Sequence, residues 1–171
     1  MKPPVWQRLD IAARRTTPFA LTLALVLINA VPLHMPGMAR VVPVLPLIAV
    51  FHWAVYRSEL MPAYAVFFIG ILQDILSGSP IGVNACVFLG VYGAVLAQKK
   101  FFAGKTFGIV WLAFVLVAAG AFLLTWIFVS ILHLAFVAPD AVLFQYLLTV
   151  GAFPPVAWVF MRWDRGFLKA A

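Results

Sequence analysis

The sequence predicts an all-α polytopic membrane protein with six transmembrane helices and both termini cytoplasmic, and three observations carry that expectation. The first is composition: 65% of the 171 residues are hydrophobic and only 10% are charged, with a mean hydropathy of +1.09. Soluble domains are about half apolar, so too few polar groups remain here to cover a water-facing globule. The second is pattern, because the apolar residues run continuously and do not alternate as in a membrane barrel. Backbone polar groups in lipid must then pair within the segment, which a helix does and an isolated strand does not. The third is the one-sided distribution of basic residues set out below.

Taken in order, the apolar segments cover about residues 17–33, 41–56, 61–76, 82–98, 107–136 and 141–161, each bounded by charge, proline or glycine. The preceding "PVWQRLDIAARR" sets Trp6, Leu9 and Ala13 on one helical face, with Arg8, Arg14 and Arg15 largely elsewhere. That is the pattern of a short helix lying on the inner membrane surface, the alternative being a charged tail that only sets orientation. The basic-then-apolar order resembles a signal peptide, but no small-residue cleavage site follows and a second apolar run begins within ten residues, so the segment is expected to be retained. Several spans are short, since 16 residues at 1.5 Å each reach only ~24 Å and imply little tilt or a thinned bilayer. The fifth, at about 30 residues and ~45 Å, is too long and is expected to break or run into the interface near Ser130 to Val137. Pro154 and Pro155 fall inside the sixth, where a kink is expected. The organisation is therefore a basic amphipathic cytoplasmic tail (1–16), a single six-helix membrane domain (17–161) and a basic cytoplasmic tail (162–171).

Charge tests this division. With the amino terminus inside, Lys2, Arg8, Arg14, Arg15, Arg57, Lys99, Lys100, Lys105, Arg162, Arg165 and Lys169 are cytoplasmic and only Arg40 is outside, so 11 of 12 basic residues share one side. Five or seven spans would spoil that asymmetry. The pI near 10.1 then reports orientation and contact with anionic membrane lipids. No aromatic-interleaved basic patch makes nucleic acid an expected partner.

Catalytic patterns are sparse. His34, His52 and His133 sit on three different segments and match no H-E-x-x-H arrangement, so neither a metal nor any other cofactor is expected. His52 and His133 are expected to hydrogen-bond between helices. Ser77 and Ser79 flank Gly78, but "GSPIG" is not the G-x-S-x-G of a nucleophile elbow, and Cys86 is alone in an apolar run.

Asp74 stands out, because a carboxylate within or at the end of a membrane helix is costly and needs a partner or a task. Phe67, Gly70, Ile71 and Asp74 share one face of the third helix by spacing, with Gly70 permitting close approach of a neighbouring backbone. The third and fourth helices are joined by "SGSPIG". Asp74 lies near the carboxyl end of its own helix but a few residues from the free N–H groups opening the next one. A carboxylate reaching Ser79, Gly82 or Asn84 would lock that hairpin at the outer face. A partner-contact role and, more remotely, a proton relay are the other readings.

The run "VVPVLPLIAVFHWAVYRSELMPAYAVFFIGILQDILSGSPIGVNACVFLGVYG" resembles the bacterial rod shape-determining protein MreD family. Prolines open the second helix, an aromatic residue and a polar link precede a proline at the third, and the signature that follows is carried by Gly70, Asp74, Gly78, Pro80, Gly82 and Ala85, with Asn84 alongside. The resemblance implies a non-catalytic protein of the bacterial inner membrane within the elongation machinery. It implies pairing with MreC and, through it, a link from MreB filaments to the RodA glycosyltransferase and its penicillin-binding transpeptidase partner. Gly70, Asp74, Gly78, Pro80, Gly82 and Asn84 then form a structural or partner-contact motif. Small residues such as Gly70, Ala118, Ala119 and Gly120 would line a groove for the partner's single helix.

A rival reading is the substrate-binding subunit of an energy-coupling-factor vitamin transporter, which this chain resembles in size and helix count. Asp74, Asn84 and "SGSPIG" would then border a ligand pocket, although Asn29, Gln73, Asp74, Asn84, Thr125 and Gln145 are nearly all the polar groups that the spans offer. A membrane enzyme or lipid flippase is less favoured, since an isolated acid does not make a polar path across a bilayer.

Overall fold

A computed structural model describes residues 5–31, 42–134 and 139–168, and every regular element among them is helical. The elements are α1 (Val5–Ala30), α2 (Leu45–Tyr56), a 3-10 turn (Ser58–Leu60), α3 (Ala63–Ser77), α4 (Val83–Ala97), the four-residue α5 (Lys99–Phe102), α6 (Phe107–His133) and α7 (Pro139–Trp163), followed by a π turn (Asp164–Leu168). Two stretches, Phe107–His133 and Pro139–Gly166, are long and apolar enough to cross a membrane. Thr16–Ala30, Leu45–Tyr56, Ala63–Ser77 and Val83–Ala97 are apolar but shorter.

Burial explains how α2 can have only 12 residues. All of Pro46 to Val55 is buried, so most of its length faces other helices, and a segment enclosed by protein need not match the thickness of a bilayer. α1, α4 and α7 enclose it. Phe51 meets Phe102, Phe114 and Phe153 edge-on at 5.1–6.0 Å between centroids, and Phe114 stacks on Phe153 at 4.3 Å. Edge-on and offset-stacked arrangements suit the aromatic quadrupole and fix α2, α5, α6 and α7 relative to one another.

The two ends of the bundle differ in chemistry. At one end Gln145 Nε2 donates to the Val42 carbonyl at 3.0 Å and the Val44 N–H donates to Thr149 Oγ1 at 3.0 Å, so α7 ties down the chain entering α2. The α3–α4 turn lies at this same end. At the opposite, basic end, Lys99 Nζ donates to Ser58 Oγ at 2.7 Å and pairs with Glu59 at 3.4 Å, while Tyr92 O–H donates to the Ser58 carbonyl at 3.3 Å. Arg57 Nε there approaches Asp164 Oδ1 at 3.2 Å, a charge contact without hydrogen-bond alignment. Both side chains are partly solvated, so Arg57→Ala is expected to cost at most ~1 kcal/mol. A thermal melt in detergent at low and high salt checks this: a small loss at low salt that shrinks at high salt is the expected pair of results.

Several details differ from the sequence expectation. The basic amino-terminal segment is not a separate surface helix but continues as α1 through Pro18, with Thr22 Oγ1 donating to the Pro18 carbonyl at 2.7 Å. α6, by contrast, stops inside the expected Ser130 to Val137 stretch: it runs to His133 and ends where Leu134 turns left-handed at φ 49°. His52 is buried among the rings of Trp53, Tyr56 and Phe160, and its Nδ1 finds no hydrogen-bond partner among the described residues, whereas His133 ends α6 exposed. Lys2, His34, Arg40, Val137 and Lys169 lie outside the described residues, as do the side chains of Trp6, Arg8, Leu9, Ala13, Arg14 and Arg15.

Candidate functional site: the α3–α4 hairpin and the cavity beside it

Among the described residues α3 and α4 make the most extensive helix pair, and the reason begins at Gly70. A β-carbon built there would lie 2.3 Å from Ala85 Cα and 2.6 Å from its nitrogen, so the absence of a side chain lets backbone meet backbone. The buried face of α3 consists of Ala65, Val66, Ile69, Gly70, Gln73 and Asp74. This face is rotated by roughly one residue, about 100°, from the one expected. Gly70 and Asp74 are on it, but Phe67 points outward and Ile71 is only half-buried.

The turn itself follows from two glycines. Gly78 ends α3 at φ 69°, and its N–H and that of Ser79 both donate to the Asp74 carbonyl, closing the helix in the usual left-handed way. Pro80 follows, and Gly82 at φ 102° is the N-cap of α4. No capping side chain comes from Gly82, so the first amides of α4 need an acceptor from elsewhere.

Asp74 supplies it. Its Oδ2 accepts the Gly82 N–H at 2.8 Å, and its Oδ1 accepts both the Asn84 N–H at 3.0 Å and the Asn84 Nδ2 at 2.8 Å. The carboxylate is fully buried and caps the next helix across the turn, where the positive end of the α4 dipole favours a negative group. Of the three expected partners, Gly82 and Asn84 are reached. Ser79 is not: its hydroxyl lies 2.9 Å from the Ser77 hydroxyl.

Next to this hairpin lies a cavity of about 90 Å³, where the transporter reading put a pocket bordered by Asn84 and the "SGSPIG" turn. Its polar lining comes from Gln73, Ser77, Ser79, Asn84, Thr125 and Gln145, so α3, the turn, α4, α6 and α7 all contribute. Four of the six span residues noted above for their polarity therefore converge on one place. Gln73 is 5% exposed and its Oε1 has no hydrogen-bond partner among the described residues, a deficit that costs about 1–3 kcal/mol. Asn84 belongs to both features, lining the cavity and donating to Asp74.

The small residues expected at a partner groove separate into two groups. Gly70 and Ala118 are buried within the chain, whereas Ala119 and Gly120 are exposed on α6. Cys86 is exposed as well, and among the described residues no three His, Cys, Asp or Glu side chains gather to hold a metal ion.

No curated protein and no solved structure matches the chain. The family model for the rod shape-determining protein MreD does match it, over residues 13–163, a span that takes in both halves of the hairpin, the cavity and all the helices from the apolar part of α1 to the end of α7. With nearly the whole bundle matched, this apolar, all-helical membrane protein belongs to the MreD family of rod shape-determining proteins.

Proposed function

We propose that the chain is a non-catalytic scaffold of the bacterial elongation machinery that binds MreC and links MreB filaments to peptidoglycan synthesis by RodA and its transpeptidase partner. The single observation that carries this reading is the family match over residues 13–163. In the membrane arrangement we propose, six spans cross the inner membrane. The basic end of the bundle, with Arg57, Lys99, Lys105, Arg162 and Arg165, faces the cytoplasm, and the α3–α4 turn faces outward. Leu112, Leu116, Leu123, Leu143, Phe144 and Leu147 present large apolar surfaces on α6 and α7, which lipid or another helix can cover. Gly70 does not serve a partner in this reading, because Ala85 of the same chain occupies the approach it allows.

The vitamin-transporter reading has a cavity at the end it requires, but about 90 Å³ is well short of the roughly 300 Å³ or more that small-molecule pockets usually provide. Depletion in the native host separates the two. Loss of rod shape with dispersed wall synthesis, together with copurification of MreC in mild detergent, is the expected outcome. Normal rods and a chain that never brings MreC with it would overturn the scaffold assignment.

A further inference from the structure

The cavity beside the hairpin has a chemistry that the scaffold role leaves unused. Its polar lining is neutral: three amide side chains, from Gln73, Asn84 and Gln145, and three hydroxyls, from Ser77, Ser79 and Thr125. The nearest acid is already engaged, since both oxygens of Asp74 accept hydrogen bonds from Gly82 and Asn84. Among the described residues no lysine or arginine lines the cavity. A charged guest would therefore leave water without a counter-charge, which is costly in an interior of low polarity.

Several donors here are already committed. Thr125 Oγ1 donates to the Ala121 carbonyl at 3.0 Å, Gln145 Nε2 to Val42, and Asn84 Nδ2 to Asp74, while the two serine hydroxyls share one hydrogen bond. What remains is a set of acceptor positions, together with the second N–H of each amide. Gln73, nearly completely buried, has an oxygen with no hydrogen-bond partner among the described residues. A buried amide left in this state beside an open polar space calls for a guest that can both give and accept. The size is restrictive, since about 90 Å³ equals roughly three waters at their liquid volume of ~30 Å³ each.

We propose that this cavity binds one small neutral group carrying a paired hydrogen-bond donor and acceptor, of the carboxamide or peptide-unit class. Amide against amide satisfies both faces of Gln73 at once, and the apolar wall from Val87 and Phe88 accommodates the carbon attached to the guest amide.

The test uses the full chain in lipid nanodiscs, with ¹⁵N at the glutamine side chains, and acetamide as the probe. Acetate and methylammonium serve as charged counterparts of similar size. Gln98, at the C-terminal end of α4 and not among the lining residues, is the internal reference. Acetamide is expected to shift the Gln73 and Gln145 NH₂ signals saturably, the charged probes are not, and Gln73→Leu is expected to abolish the response. Thr125→Val, nearly equal in volume, is expected to weaken acetamide at least three-fold while leaving the fold in place, and it decides the matter where Gln73→Leu does not fold. Absence of saturation, an equal response to acetate or methylammonium, or unchanged acetamide affinity in Thr125→Val overturns the proposal. This readout needs no MreC and no cell, so it fails or succeeds independently of the scaffold reading.

Discussion

Gly70→Ala is expected to destabilise the chain by about 2 kcal/mol, against the direction that helix propensity alone gives. In an isolated helix alanine is favoured over glycine by ~1 kcal/mol. Here the new β-carbon would meet Ala85 Cα at 2.3 Å and the Asn84 carbonyl carbon at 3.0 Å. Carbon atoms prefer separations of roughly 3.5–4.0 Å, so α3 and α4 must part by about 1 Å. Backbone atoms cannot rotate away as a side-chain tip can. Overpacking of this kind costs roughly 1–3 kcal/mol, and the same parting lengthens the hydrogen bonds that Asp74 makes to Gly82 and Asn84, adding to the loss. Gly90→Ala is the matched control, because that glycine is likewise inside a helix of the hairpin, α4, but nothing lies within 4 Å of its β-carbon position. Thermal melts of both variants in the same detergent decide the point: Gly90→Ala is expected to hold or gain stability and Gly70→Ala to lose it. Equal gains would show that the helices do not approach as closely as described.

Why the hairpin was legible in detail while the full lining of the cavity was not follows from the range of each signal. Asp74, Gly78, Pro80, Gly82 and Asn84 lie within eleven consecutive positions, so turn chemistry and the unpaired amides at a helix start relate them without any tertiary knowledge. Glycine at a left-handed position and an acid near free N–H groups are local statements. The cavity is a non-local one. Gln73, Thr125 and Gln145 come from three helices, and periodicity gives the polar position on each without saying which helices face each other. In membrane helices that difficulty is sharper, because lipid-facing and protein-facing positions are both apolar and the moment that orients a soluble helix is weak. The same weakness explains the misplaced face of α3, where Phe67 and Ile71 are as apolar as Val66 and Ile69. The continuous α1 has another cause: arginine and alanine are good helix formers, and a helix can continue through Pro18 where a short apolar segment meets a basic one.

Asp74 gives the second large effect, and its direction separates architecture from chemistry. Asp74→Asn keeps the shape but turns one acceptor oxygen into an NH₂ group. Three donors, from the Gly82 N–H, the Asn84 N–H and the Asn84 side chain, then face a group with a single oxygen. Whichever way the amide turns, at least one buried donor meets another donor, and the charge that suits the α4 N-terminus is gone. Each buried donor left unpaired costs about 1–3 kcal/mol, so a total near 3 kcal/mol is expected, enough to lower accumulation of a marginally stable protein. Asn84→Ala is milder at about 1 kcal/mol, because it removes one donor and leaves the two backbone bonds in place. If the carboxylate acts through these contacts, the costs of Asp74→Ala and Asn84→Ala are not additive, and a double-mutant cycle shows a coupling of roughly 1–2 kcal/mol. A proton-relay role gives the opposite pair of results: Asp74→Asn accumulates and melts as the parent does, yet fails to restore rod shape in a depleted host. The burial of Asp74 and its three hydrogen-bond donors weigh against that outcome, because a carboxylate that must gain and lose a proton would release the cap of α4 each time it did so.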